Sequence, residues 1–396
     1  MEFRRPGTVI LACLLLATGC ATGCATAGAG ERASPPKPAT PAAPVVVQVS
    51  ASHCGEGWTN PHAGQQTLML TNTGDAPSGA DLIGVPGGAV HAELEGLGPG
   101  VTRPMRVSLA QGTYAIRCEI DERDPITGPS VTITGAGAGG PATTPITYAD
   151  LFAPAKHYGE YVAGGLDTLL ARTKTLARAV DRGDLAAARK AWLPAHLAYE
   201  SLGSAYGTFG DFDGSINGGP AGLPGGVHDK DFTGLHRVEY GLWHDESAKK
   251  LRPITDRLLK DVKSLHDDFP DERLDPGDLP LRAHEILENT LRFELTGRSD
   301  EGSGTTLATT AANVKGTRVT IGVLRPLLDD RYPGLKQVDE HLDRLDGLLA
   351  AQHHGGTWTP VDRLDPRVRE SINGAVSGLL EELAPIAEIL FPRRTK

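Results

Sequence analysis

Gly135-Ala136-Gly137-Ala138-Gly139-Gly140-Pro141-Ala142-Thr143-Thr144-Pro145 separates two halves of the chain that have different periods. Glycine and proline at this density punctuate local structure, and residues 136–146 read as a linker. Upstream, β-branched and apolar residues come in short runs: Val45 to Val49, Gln66 to Thr71, Thr102 to Leu109, Tyr114 to Ile120 and Val131 to Thr134. Turn-forming Asn72-Thr73-Gly74-Asp75, Gly87-Gly88 and Gly98-Pro99-Gly100 stand between them. Short strands at this spacing predict a small β-sandwich over residues 45–135. Downstream the period becomes helical. Tyr158, Tyr161, Val162, Leu166, Leu169 and Leu170 recur at steps of three and four, which stacks them on one helix face. The same spacing returns in Leu185 to Tyr206, Leu251 to Phe269, Leu281 to Leu295, Ala311 to Leu328, Leu335 to Leu349 and Val368 to Leu390. Residues 147–396 are therefore expected to form an all-α bundle, and the chain a multidomain β + α protein.

The N-terminal end points to export. Met1-Glu2-Phe3-Arg4-Arg5 precedes an apolar run from Thr8 to Ala17, the layout of a secretory signal peptide over residues 1–19. The run is too short to span a bilayer. Leu16-Ala17-Thr18-Gly19-Cys20 looks like a bacterial lipobox, with Cys20 as the lipidated first mature residue; Ala21-Thr22-Gly23-Cys24 offers a second such cysteine, and plain secretion is the alternative. Residues 20–44 lack large apolar side chains and read as a stalk, which places the folded parts outside the cytoplasm, in the periplasm or tethered to the membrane. Thirty-nine Lys and Arg against forty-nine Asp and Glu give a net charge of −10. Such a surface repels nucleic acid and attracts cations. Only Cys54 and Cys118 lie in folded-looking sequence, and in an oxidising compartment such a pair can form a disulfide.

Chemistry concentrates in Phe232-Thr233-Gly234-Leu235-His236-Arg237-Val238-Glu239-Tyr240-Gly241-Leu242-Trp243. On a helix, His236 and Glu239 project to one side, near enough to share a metal ion or to form an ordinary ion pair. An imidazole nitrogen and a carboxylate oxygen suit a divalent first-row ion. His196 with Glu200 and His284 with Glu288 repeat the theme at four-residue spacing. Bundles build metal sites from such groups projected inward from several helices, although any one pair also fits a solvated helix face. Phe209 to Gly219 reads as a loop in which Asp211 and Asp213 are either oxygen ligands or parts of an Asx-stabilised turn.

The downstream half resembles the imelysin family through Ala198-Tyr199-Glu200, Phe209-Gly210-Asp211-Phe212-Asp213, Gly234 to Glu239, Glu294-Leu295-Thr296-Gly297 and Ala312-Asn313-Val314-Lys315-Gly316. The whole chain is similar to its iron-uptake members, which carry a cupredoxin-like domain in front of the helical one. That resemblance implies a metal site of His236 and Glu239 with Glu200, Asp211 or Asp213, and Glu288. It also implies departures here, Gly203 in place of a glutamate and His196 in place of an arginine. For the β-sandwich it implies a second copper or iron site made from Cys54, Cys118, Asp81, Glu93 and Glu119. A blue copper centre is not expected, because no histidine or methionine follows Cys118 at short range.

The expected function is binding of iron, ferrous or ferric, with copper or zinc as alternative ions. The resemblance implies a membrane iron permease and a Dyp-type haem peroxidase as partners. The competing expectation is a metallopeptidase, which the family's proteolytic history suggests. Common zinc peptidases need H-E-x-x-H, which neither His236 to Glu239 nor His284 to Glu288 supplies.

Overall fold

The computed structural model describes residues 45–121 and 123–393. The expected signal peptide, stalk and lipidated Cys20 lie outside the described residues. The β-rich half runs β1 (Val45–Val49), β2 (Gly64–Asn72), β3 (Ser78–Gly84), β4 (Val90–Leu97), β5 (Thr102–Leu109), β6 (Gly112–Ile120), β7 (Ile126–Thr127) and β8 (Val131–Ile133). One sheet has the order β1-β2-β5, and the other has the order β4-β3-β6-β7 with β8 also on β6. Val47, Val49, Leu68, Leu70, Met105 and Val107 from the first sheet pack on Ala80, Leu82, Leu94, Ile116 and Ile120 from the second, which makes a two-layer sandwich.

Strands β3 and β4 are absent from the sequence expectation, for two different reasons. β3 is an interior strand of its sheet, between β4 and β6, and is buried on both faces. Ala80 and Leu82 point into the sandwich and Asp81 and Ile83 away from it, yet all four are buried, so no polar alternation survives. β4 contains a bulge: Ser78 pairs with Leu97 and Ala80 with Leu94, so three steps on β4 oppose two on β3. Gly96, at φ +63°, absorbs the extra residue, and the period of two is broken there.

The other half is helical: α1 (Phe152–Asp181), α2 (Leu185–Glu200), α3 (Tyr206–Phe209), α4 (Asp211–Asn217), α5 (Gly234–Trp243), α6 (Ala248–Asp268), α7 (Asp278–Asn289), α8 (Thr306–Leu328), α9 (Leu335–Ala350) and α10 (Pro366–Ile389). Asp184 caps α2 by accepting from Ala187 N at 2.9 Å. Tyr158, Val162, Leu166, Leu169, Leu176 and Val180 on α1 join one core that also takes Trp192, Leu258, Val314, Leu345 and Leu379. A π-helical turn over Thr290–Glu294 extends α7, with Leu295 N bonded to Thr290 O at 3.0 Å.

The glycine-rich connection is pinned rather than free. Gly140 N donates to Ser108 O, Val90 and Thr143 form a bridge, and Ile146 is buried in the helical core. The C-terminal end comes back to the same place, where Arg393 N donates to Ile146 O and its guanidinium holds Glu93 Oε2 at 2.7 Å. No described helix is long and apolar enough to cross a membrane.

Candidate metal site

The last turn of α2 and the body of α5 meet at the centre of the bundle. α2 presents His196 and Glu200, one turn apart, and α5 presents His236 and Glu239; all four are buried. The approach depends on Gly234. Its φ is +81°, and a Cβ there would lie 2.3 Å from Ile216 O on α4, so a residue without a side chain is required where α5 begins.

One ligand atom from each of His196, Glu200 and His236 lies within 4.8 Å of the others. Glu200 Oε1 is 3.0 Å from His196 Nε2 and accepts from Asn217 Nδ2 at 2.7 Å. With the Asn313 amide turned so that its NH2 meets Glu200, it donates to Oε2 at 3.1 Å. The His196–Glu200 contact is short but misaligned, and neither ring nitrogen of His196 makes a hydrogen bond. Buried polar atoms are nearly always satisfied, so a buried imidazole with no partner on Nδ1 and only a misaligned ion-pair contact on Nε2 fits a site made for a cation.

Glu239 serves differently. Its Oε2 accepts from His236 Nδ1 at 3.2 Å, and its Oε1 accepts from the backbone amides of Glu301 and Ser303 at 3.2 and 3.1 Å. Both oxygens are engaged, and the imidazole is oriented with Nε2 as its free ligand atom, the usual arrangement behind a metal-bound histidine. Without an ion, the electrostatics favour a proton on that ring, which a metal would have to displace. Burial opposes charge on His236, but the hydrogen bond and charge of Glu239, helped by Glu200 and Glu294, push its pKa up to about 9. Burial likewise works against ionised Glu200 and Glu239, yet His196 and His236 respectively hold them below the usual carboxylate value.

Glu200 and His236 open onto a cleft of about 590 Å³. Glu294 joins them from the π-helical turn, with its Oε2 accepting from Ser299 Oγ at 2.6 Å. Burial and the neighbouring charge of Glu200 push Glu294 up to about 8. Its place on a π-turn is typical of functional positions in helices. Glu294 lies inside a quoted family stretch, Glu294-Leu295-Thr296-Gly297, but was not expected as a ligand; a π-turn leaves no periodic trace that would single it out.

A sequence profile of the imelysin family, peptidase family M75, matches residues 154–386. This chain belongs to the imelysin family. It is 30% identical over 247 residues to the iron uptake system component EfeM of Pseudomonas syringae pv. syringae, covering 62% of this chain and 86% of that protein. It is 27% identical over 347 residues to the iron uptake system component EfeO of Yersinia pseudotuberculosis, covering 87% and 91%. A putative iron-regulated protein A precursor from Parabacteroides distasonis superposes with a TM-score of 0.49 and 12% identity over 62% of this chain and 96% of that one.

Within the imelysin half, the expected loop around Asp211 and Asp213 is helix α4. Residues two apart on a helix face different ways, so Asp211 is exposed while Asp213 lines the cleft and accepts from Tyr199 OH at 2.5 Å. Asp211 is corrected out of the site. Glu288 is corrected as well: it faces outward beside His284 and Arg292, each at 3.8 Å, while the cleft-facing positions of α7 are Arg282, Glu285, Ile286 and Asn289. At Gly203 a Cβ would come within 2.9 Å of the Ile286 side chain, so a glutamate there requires Ile286 to shift.

The second metal site expected in the β-half is not formed. Cys54 and Cys118 are joined as a disulfide, so their sulfurs are not free ligands. Alternation along β6 also sends Cys118 into the sandwich and Arg117 and Glu119 to the opposite face. On that face Arg117 Nη2 pairs with Asp81 at 2.5 Å and lies 3.9 Å from Glu119, and Arg393 takes Glu93.

Proposed function

We propose that this imelysin-family protein is a non-enzymatic iron-binding component of an uptake system, working outside the cytoplasmic membrane and handing iron to a membrane permease. The carrying observation is the meeting of His196, Glu200 and His236 in one buried cluster, in which the His196 ring makes no hydrogen bond, beside a cleft that contains Glu294. Nitrogen and carboxylate donors in this number suit ferrous iron and leave copper(II) and zinc as competitors. The names of the EfeM and EfeO relatives support iron as the cargo. Residues 1–19 as an export signal, lipidation at Cys20 and a stalk over residues 20–44 complete the reading. The tether raises the concentration of the binding domain near the permease. A cupredoxin-like descent for the sandwich and a haem peroxidase companion belong to the same proposal.

The peptidase reading is weaker, because Glu239, its natural general base, already accepts from His236 and two backbone amides. The test is titration of the purified protein with iron, copper and zinc, comparing wild type with Glu200→Gln and with the double variant His236→Ala, Glu239→Ala. Loss of iron binding in both is expected; unchanged binding in the double variant refutes the site. Zinc-dependent cleavage of casein that requires Glu239 favours the peptidase.

A further inference from the structure

Four tyrosine and phenylalanine side chains are exposed among the described residues, and three of them, Tyr148, Phe152 and Phe391, gather where the linker enters the helical half. Tyr148 and Phe152 meet edge to face at 5.7 Å between ring centroids. Phe391 adjoins Pro392, which bridges to Ile146, two residues before Tyr148. Exposed rings that keep this company mark an interaction surface. Asp275 accepts from Tyr148 OH at 2.5 Å and from Gly277 N at 2.9 Å, and the exposed Lys156 stands one turn beyond Phe152. Apolar ring bodies beside a polar tip and a lysine are the side chains that settle at the headgroup level of a bilayer. The course of the chain says what covers them. One end of the sandwich meets the linker: Gly64 pairs with Leu109 there, Gly140 N donates to Ser108 O, and Val90 bridges to Thr143. The turn Gly98 to Val101 is at the other end, where Asn72 N donates to Val101 O. Strand β1 is parallel to β2, with Val45 opposite Leu68 and Val49 opposite Asn72, so it is entered from the linker side and runs toward Val101. Twenty-five residues separate the proposed lipid on Cys20 from Val45. Their reach is at most about 80 Å. A tether of that kind holds the patch near its membrane at about millimolar effective concentration, so a weak contact suffices.

We propose that Tyr148, Phe152 and Phe391 form a membrane-docking patch, which lays the junction of the two halves against the headgroups of the bilayer that holds the anchor. The Val101 end of the sandwich is then turned away from the lipid. The inference rests on the reading that Cys20 is lipidated, and it adds a fixed orientation to the tether.

The lipidated chain is reconstituted into vesicles of phosphatidylcholine brominated on its acyl chains, with about a quarter phosphatidylglycerol. A tryptophan probe is placed in turn by Phe152→Trp, Phe391→Trp and Val101→Trp, all at exposed positions. Bromine quenches a ring that reaches the level of the headgroups. Against unbrominated vesicles, the emission added at 152 and at 391 is expected to fall about twofold or more, and that added at 101 to stay unchanged. Two patch probes keep the test decisive should one variant melt below wild type. Protein that floats with the vesicles while both patch probes stay unquenched overturns the docking and leaves the anchor intact. Equal quenching at all three positions also overturns it, since the chain then has no preferred side. So does a dimer in solution that Phe152→Ser disperses, which assigns the patch to a second copy. Wild-type protein that does not float with the vesicles overturns the anchored reading and the docking together.

Discussion

Glu239→Gln separates a carboxylate that touches the metal from one that acts through His236. Glutamine keeps the shape, and its carbonyl still accepts from Glu301 N and Ser303 N. Its amide nitrogen then takes the place of Oε2, 3.2 Å from His236 Nδ1. A carboxylate there draws the ring proton to Nδ1 and leaves the Nε2 lone pair for a metal. An amide N–H donates to Nδ1 and moves the proton to Nε2, the nitrogen the metal needs. Changes to such outer partners cost about 10–100-fold in metal affinity, or ~1.4–2.8 kcal/mol. One effect runs the other way. Holding His236 at about 9 instead of 6.5 favours its protonated form by roughly 3 kcal/mol, and removing that field makes the proton easier to displace. The loss therefore falls toward the low end at pH 7 and grows as the pH approaches 9, where wild-type His236 is already shedding its proton. The assay is calorimetric titration with zinc, which has no redox chemistry. Affinity within twofold of wild type at both pH values refutes positioning through His236, and so does a loss as large as that of Glu200→Gln.

The metal-free protein should lose stability as the pH rises. His236 titrates at about 9 and Glu294 at about 8 in the fold, above their ordinary values of 6.5 and 4.5, so both hold protons more tightly folded than unfolded. Their contributions are full below the ordinary values and fade through 8 and 9, so the melting temperature falls from pH 6 to pH 9 and His236→Gln flattens the slope; a rising curve is the refuting result. Trp192 lies 4.8 Å from His196 between ring centroids, so iron binding quenches its fluorescence and Trp192→Phe removes most of that quench; equal quenching in the variant places the ion elsewhere. Asp211→Asn and Glu288→Gln leave metal affinity unchanged, since both residues sit outside the cleft lining, and a tenfold loss in either contradicts the assignment. Opening the Cys54–Cys118 bridge, which spans 64 residues, costs about 4 kcal/mol in urea unfolding of the β-half; metal binding that fails along with it refutes the independence of the helical site.

The helical half was readable because its residues repeat at a period that physics fixes. Leu166 and Leu169 or Val338 and Leu342 announce their faces without help from tertiary structure. β3 was hidden because burial on both faces erases alternation, and β4 because Gly96 breaks its period. At the site, spacing pairs His236 with Glu239 and His196 with Glu200, since each pair lies within one turn of helix. It does not state which pair faces which, because that depends on the angle between α2 and α5. Asp211 and Asp213 stand two residues apart in the sequence and are turned to different sides by a helix that a glycine-rich composition conceals. The role of Glu239 lay beyond the pattern, since it is fixed by amides of Glu301 and Ser303 more than sixty residues away in the chain.

The π-turn at Thr290–Glu294 has a bearing on how such a site arises. A π-turn carries one residue more than the α-helical turn it replaces at the end of α7. Removing a single codon from this stretch restores a plain helix and swings Glu294 by about 100° around the axis, away from the cleft. It also draws back the segment that brings Ser299, Glu301 and Ser303 to their carboxylates. The acid at the mouth of the site and the backbone clamp on Glu239 are thus gained or lost together in one in-frame step, with His196, Glu200 and His236 untouched.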